Sequence, residues 1–148
     1  MKLIDITKNN WMEVIFLTTN QEAMPTLCEE FVASNALSIV QAQFEGTWTT
    51  KAIECEEKLI GFTMYGYCKE HDYYELCRIM IGKRYQGKGY GTQAIKMVLS
   101  EMRQTINRNE VYLSTSPKNV KGKDIYEKIG FVNTGKIVDG EELYCFTF

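Results

Sequence analysis

Ile81 to Gln93 reads IGKRYQGKGYGTQ, the end of an apolar run that passes through a glycine-rich turn into a helix-like segment. Four glycines, at positions 82, 87, 89 and 91, punctuate it. Gly82 with Gly87 and Lys88 matches a nucleoside-triphosphate loop up to its last residue, and Gly87, Gly89 and Gly91 nearly make a dinucleotide fingerprint. Each match fails on a chemical requirement. The triphosphate loop needs Ser or Thr after its lysine to ligate magnesium, and Gly89 stands there. It also needs an Asp at the end of a later apolar strand, and VYLSTS at 111–116 has none. The dinucleotide turn spaces its last two glycines three apart and wants an acidic residue ending a second parallel strand about 20 positions on. Gly89 and Gly91 are two apart, and Glu110 precedes its strand rather than ending it.

What survives is general. Glycines at 87, 89 and 91 remove every Cβ from one side of a helix start, so successive backbone N–H groups converge on an anion at the positive end of the helix dipole. The dipole alone contributes about 0.3–2 kcal/mol, and direct hydrogen bonds add to it. Arg84 and Lys88 supply flanking charge. A pyrophosphate bound without magnesium fits this loop.

The bulk composition narrows the partners. A chain of 148 residues with 45% apolar and 12% aromatic content builds one core, and no linker, repeat or low-complexity segment divides it, so residues 1–148 are expected to form a single domain. A net charge of -2 gives no general attraction to nucleic acid or to an anionic membrane and suits a small cationic partner better. Five cysteines without a CxxC pair and a single histidine, His71, argue against a metal centre and fit a reducing cytoplasm. No apolar run reaches signal-peptide or membrane-spanning length, which predicts a soluble protein.

Periodicity orders the elements. LIDI (3–6) alternates as a strand, Asn9 and Asn10 cap a helix through Leu17, and Pro25 starts a helical stretch with Leu27, Phe31 and Val32 inward. A further helical turn or two falls in ALSIVQAQF. KAIEC (51–55) and LIGFTMYGY (59–67) form a hairpin with a bulge expected at Gly61, and YYELCRIMI (73–81) adds a third strand. Its alternation puts Glu75, Cys77, Ile79 and Ile81 on one face and Leu76, Arg78 and Met80 on the other. After the glycine loop, Ile95, Val98, Leu99 and Met102 make a helical stripe. VYLST (111–115) is a strand, KGKDIYEKIG a short helix ending at Gly130, and FVNTGKIV with EELYCFTF a closing hairpin turned by Asp139-Gly140. The result is an α/β sandwich with a mixed sheet.

With these elements in place, Gln86-x-x-Gly89-x-Gly91 between a strand and a helix resembles the pyrophosphate loop of the GNAT superfamily of acetyl-CoA-dependent N-acetyltransferases. NVKGKDIYEKIGF, Asn119 to Phe131, is similar to the second half of that family's cofactor site. Gly122 departs from the alanine usual there, which is expected to loosen the helix without moving the tyrosine. The resemblance implies a mixed, mostly antiparallel sheet with helices on both faces, acetyl-CoA as acetyl donor and no metal. It implies backbone contacts to the acetyl group from Ile79 and Ile81, and a cradle of Gln86, Gly87, Lys88, Gly89, Tyr90, Gly91 and Thr92 around the pyrophosphate. It further implies Asn119 on the pantetheine arm and Tyr126 as the proton donor to the departing sulfur.

An alkyl amine with a pKa near 10.4 is only about 0.04% neutral at pH 7, a deficit of roughly 4–5 kcal/mol that the site must supply. Many relatives carry a carboxylate where this chain has Cys77. Glu75, about 7 Å away along the strand, is either a base acting through water or a solvated strand-end carboxylate. FVASNALSIVQAQ (31–43), KLIGFTMYG (58–66) and RYQGKGYG resemble the bacterial spermine/spermidine acetyltransferases, which implies a polyamine or diamine as acceptor. Glu22, Glu29, Glu30, Glu70 and Asp72, with Trp11, Trp48, Tyr65 and Tyr73, are candidates to steer and flank it. Another small amine, a protein amine, or an acyl-CoA sensor without turnover are the alternatives. Homodimers are common among such proteins, and LYCFTF is apolar enough either to pair with a second copy or to close the sheet.

Overall fold

The computed structural model describes residues 1–19 and 34–148. The helical stretch expected from Pro25, and with it Glu22, Glu29 and Glu30, lies outside them. The chain runs β1 (Lys2–Asp5), α1 (Trp11–Ile15), α2 (Asn35–Glu45), β2 (Trp48–Cys55), β3 (Lys58–Cys68), β4 (Tyr73–Ile81), α3 (Tyr90–Thr105), β5 (Glu110–Thr115), α4 (Val120–Ile129), β6 (Val132–Val138) and β7 (Glu141–Thr147). Among the described residues no helix is long and apolar enough to cross a membrane.

The strands form one seven-stranded sheet in the order β1-β2-β3-β4-β5-β7-β6. Short turns join β2 to β3 and β6 to β7, and each uses two successive residues at positive φ, Glu56-Glu57 (51° and 61°) and Asp139-Gly140 (51° and 81°). That geometry matches the twist of an antiparallel ribbon. Between β4 and β5 the chain instead crosses over through α3, so among the described strands this pair alone is parallel. The mixed, mostly antiparallel sheet expected from the sequence is therefore present. β7 lies between β5 and β6 rather than at an edge, so its apolar residues close the sheet and are not free to pair with a second copy.

Helices cover both faces. On one, Ile95, Val98, Leu99 and Met102 of α3 pack against Tyr65, Leu76, Leu113 and Tyr144, with Ile125, Tyr126 and Ile129 of α4 against them. On the other, Val14 of α1 and Ile39 of α2 pack on Ala52, Phe62, Met64 and Met80. The α3 stripe is the one the 3.6-residue period predicts. α1 is shorter than expected: Asn10 spends its side chain on Thr7 and on the Asp5 carbonyl instead of capping, and Trp11 is 45% exposed while Val14 is fully buried. α2 is longer than the turn or two expected, because Ser34 caps it through the Leu37 N–H at 3.1 Å and Gly46 ends it at φ +67°.

Two bulges correct the alternation read from the sequence. The first lies beside the expected position, at Ile60: Ile53 pairs with Gly61 and Glu54 with Leu59. A side chain at Gly61 would run into the Met80 carbonyl, which is why glycine stands there. The second was not expected. Tyr65 pairs with Leu76 and Met64 with Arg78, leaving Cys77 as the extra residue on β4. Beyond it the faces exchange. Cys77 packs with Met80 on the α1/α2 side, whereas Leu76 and Ile79 pack on the α3 side. Glu75 and Cys77 therefore do not share a face with Ile79 and Ile81, as strict alternation requires.

Phe62 anchors the α1/α2 face at 1% exposure. Phe62→Ala is expected to cost about 3–5 kcal/mol of unfolding free energy, read as a lower urea midpoint at unchanged slope.

Candidate active site

β4 and β5 are paired only at Glu75 and Tyr112. Beyond that point no β4–β5 pairing continues, and a cavity of about 120 Å³ lies against the end of β4, lined by Ile79, Met80 and Ile81 of β4, Gly91 and Ile95 of α3, and Gly122, Ile125 and Tyr126 of α4. The direction of the β4 backbone follows from its other neighbour. Gly82 N–H donates to the Ile60 carbonyl at 2.8 Å, and Met80 is two residues before Gly82 and opposite Phe62. In an antiparallel ladder the intervening residues point the other way, so the N–H groups of Ile79 and Ile81 face the gap that β5 has left.

The glycine loop stands at one end of this cavity. A 3-10 turn at Lys83–Tyr85 leads into it, and Gln86 Nε2 donates to the Ile81 carbonyl at 2.9 Å, clasping the loop to the end of β4. Gly87 and Gly89 adopt φ of +80° and +77°, which β-carbon-bearing residues rarely take. Gly89 is the N-cap of α3, and no side chain caps it. The first helical bond runs from Gln93 N–H to the Gly89 carbonyl, so the N–H groups of Tyr90, Gly91 and Thr92 precede it. Among the described residues, no other part of the chain comes within 4 Å of where a Cβ would stand at Gly87, Gly89 or Gly91. An open, glycine-walled array of donors at the start of a 16-residue helix suits a diphosphate. Lys88 is exposed beside it, and the Tyr90 ring turns inward against Ile53, Ile60 and Ala94.

At the other end, Tyr126 packs edge-on against Phe131 with ring centroids 6.1 Å apart. Burial raises the pKa of its phenol, the Glu141 carboxylate raises it further, and the Thr115 hydroxyl opposes both. Asn119 caps α4, accepting from Gly122 N–H at 3.0 Å, and its Nδ2 donates to Thr115 Oγ1 at 2.9 Å. Gly122 has a different consequence from the loosening expected. A Cβ there would overlap the Asn119 amide, so the glycine makes room for that side chain to fold back over the helix start.

On the α1/α2 side of the gap, Glu75 is half-buried. Burial raises its pKa, Arg78 and His71 pull it down, and Glu141 and Asp139 push it up. Cys77 is an inert neighbour: burial pushes its thiol up to about 12, although Arg78 donates to its Sγ at 2.9 Å. Tyr73 stacks on Tyr112 at 4.6 Å and on His71 at 5.4 Å, an aromatic wall beside Glu75. Glu141 accepts from Ser114 Oγ at 2.6 Å and acts electrostatically on both Glu75 and Tyr126, so it stands near the gap from a third strand. The sequence reading missed Glu141 and Ser114, which a pairing between distant strands brings together; no local pattern marks them.

Several candidates for the acceptor side have other partners. Asp72 accepts from Tyr67 and is bridged by Arg108 at 2.9 Å. The Tyr65 hydroxyl donates to Glu101 on the α3 face, and Trp48 Nε1 donates to Glu45. Tyr73 keeps its place at the gap, and among the described residues no group of His, Cys, Asp and Glu could hold a metal ion.

Comparison with known proteins agrees with this geometry. The chain is 25% identical over 145 residues to the spermine/spermidine N(1)-acetyltransferase of Bacillus subtilis strain 168, spanning 93% of this chain and 92% of that protein. A chimera of the Vibrio cholerae spermidine N-acetyltransferase SpeG and hSSAT superposes with a TM-score of 0.72 at 19% identity, covering 98% of this chain and 93% of that one. The PaiA N-acetyltransferase of Thermoplasma acidophilum, solved in complex with coenzyme A, superposes with a TM-score of 0.61 at 20% identity, over 76% and 68% of the two chains. Residues 8–131, which include the glycine loop, the splayed strands and α4, match the acetyltransferase (GNAT) family, and the chain belongs to that family of acetyltransferases.

Proposed function

We propose that this protein transfers the acetyl group of acetyl-CoA to a small primary amine, and that the amine is a polyamine or diamine. The observation that carries the reading is the gap between β4 and β5, with an anion cradle at one end, Tyr126 at the other, and carboxylates with an aromatic wall on the opposite face. The thioester supplies an acyl carbon open to attack and a thiolate leaving group.

The backbone N–H groups of Gly87 to Thr92 hold the pyrophosphate, with Lys88 beside them and Gln86 fixing the loop to β4. The Ile79 and Ile81 N–H groups polarise the acetyl carbonyl. Asn119 flanks the pantetheine arm with the donor and acceptor capacity that its two internal bonds leave over. Glu75 takes the proton of the attacking ammonium through water, and its raised pKa brings it closer to the range where a base works. Tyr126 donates its proton to the departing sulfur. A second ammonium group of the substrate is matched by Glu141 and Asp139, and its methylenes by Tyr73 and Tyr112. The likeness to the Bacillus subtilis enzyme over nearly the whole of both chains supports the polyamine class. The four described cysteines, all free thiols, support a cytoplasmic site of action.

Steady-state assays with acetyl-CoA against spermine, spermidine, putrescine, amino acids and peptides are expected to give the highest kcat/KM for a polyamine; a higher value for a peptide or an amino acid overturns the substrate class. Gly89→Val forces a β-branched residue to φ +77° and fills the cradle, so KM for acetyl-CoA is expected to rise about tenfold or more. Glu75 accepts a proton only when ionised, so kcat/KM falls as pH drops through its raised pKa. Glu75→Gln is expected to lower the rate and remove that acidic limb; an unchanged profile excludes Glu75 as the base. Tyr126→Phe is expected to lower kcat by about a hundredfold with little change in KM for acetyl-CoA.

A further inference from the structure

Two hairpin turns distant in sequence meet beside Glu75. His71 stands in the turn between β3 and β4, and Asp139 in the turn between β6 and β7. The His71 ring stacks on Tyr73 with centroids 5.4 Å apart, and Tyr73 stacks in turn on Tyr112 at 4.6 Å, so the imidazole is held over the aromatic wall. Its Nε2 lies 3.8 Å from Asp139 Oδ2. That separation is too long for a hydrogen bond, so a neutral imidazole gains nothing from Asp139 there, whereas an imidazolium is attracted to it. Asp139 is exposed, and among the described residues no other cation pairs with its carboxylate.

The titratable groups around the imidazole come from several elements. Cys68 and Glu70 belong to the same hairpin, Tyr73 and Glu75 to β4, and Glu141 acts on Glu75 from β7. Asp72 is already engaged by Arg108 and Tyr67. Arg78 and His71 are the cations that lower the pKa of Glu75, and a guanidinium does not titrate in the working range, so of the two only the imidazole changes charge. Histidine is the side chain whose ordinary titration falls between about pH 5 and 8.

We infer that His71 is a specificity-determining residue for the acceptor: as an imidazolium it takes the place of a substrate's distal ammonium beside Asp139, and as a neutral ring it leaves that carboxylate to the substrate. This rests on the proposed reading of Asp139 and Glu141 as the match for a second ammonium. A diamine is then favoured over a monoamine of the same length at a pH above the titration of the imidazole, and the advantage shrinks as pH falls through it. The reacting nitrogen is common to both amines, so the effect falls on the choice between acceptors and not on the transfer step. Glu141, held by Ser114 on β5, keeps part of the match, so the preference weakens rather than vanishes.

The test uses a straight-chain diamine, the best of a series of lengths, and the alkyl monoamine in which a methyl group replaces its distal ammonium. The readout is the ratio of their kcat/KM values. The ionisation of Glu75 and of the reacting amine affects both acceptors alike and drops out of the pH dependence of that ratio. Between about pH 8 and about pH 5.5 the ratio is expected to fall roughly fivefold, the effect of a partly exposed ion pair. In His71→Phe, which keeps a ring on Tyr73 but carries no charge, the ratio is expected to stay at its upper level throughout. In Asp139→Asn it is expected to be low already at the upper pH and to change little below it, with thermal melts confirming that both variants are folded. A diamine preference that does not change with pH in the unmutated protein, or a fall of the same size in His71→Phe, overturns the inference. Acetylation of neither amine, or a monoamine preferred at every pH, overturns the parent reading and this inference with it, and that outcome is read separately, from the unmutated protein alone.

Discussion

The single paired contact between β4 and β5, at Glu75 and Tyr112, is the constraint on which the rest of the site depends. A parallel pair needs a crossover, and α3 provides it, so its N-terminus must begin where β4 ends. Once the two strands part, backbone N–H groups on the open edge of β4 have no strand partner. A folded protein does not leave such groups beside an apolar cavity without a use for them. The glycine loop, the cavity and the open edge of β4 are thus consequences of one topological choice.

The bulge at Cys77 divides the labour across that gap. Without it, Glu75, Cys77, Ile79 and Ile81 would share one face, and the carboxylate would compete with the acyl group for the same space. With it, Ile79 packs toward α3 while Glu75 lies on the α1/α2 side with His71, Tyr73 and Tyr112. Under the proposed function, two substrates of opposite charge approach from opposite faces and meet only where the sheet is open. An anion cradle at a helix N-terminus and carboxylates on the other face separate the two kinds of charge electrostatically as well as in space.

Glu141 connects the two halves. It belongs to the hairpin turned by Asp139-Gly140, is held by Ser114 on β5, and influences both Glu75 and Tyr126. Its charge raises the pKa of Glu75 and of Tyr126 together. For Glu75 this increases proton affinity; for Tyr126 it disfavours the phenolate, and the Thr115 hydroxyl works against that effect. The polar groups around the gap act as a connected set, in which neighbouring side chains govern protonation.

The sequence by itself determined the elements whose signals are local. Gly87, Gly89 and Gly91 announce a strand-to-helix anion turn because only glycine frees that much backbone, and the α3 stripe and the Asp139-Gly140 turn follow from helical period and turn chemistry. The failed match at Gly89 already excluded a magnesium-dependent loop. Tertiary structure alone decided which way β4 faces, because a bulge is a property of two paired strands and Cys77 carries no mark of it. It also assigned Asp72 to Arg108 and Tyr65 to Glu101, brought Glu141 to the gap from a hairpin more than sixty residues away from Glu75 in sequence, and turned Gly122 from an apparent weakness into the space that Asn119 fills. Apart from the Gly122–Asn119 contact, which joins residues three apart, each of these is a contact between segments distant in sequence, and periodicity and turn chemistry report only on neighbours along the chain.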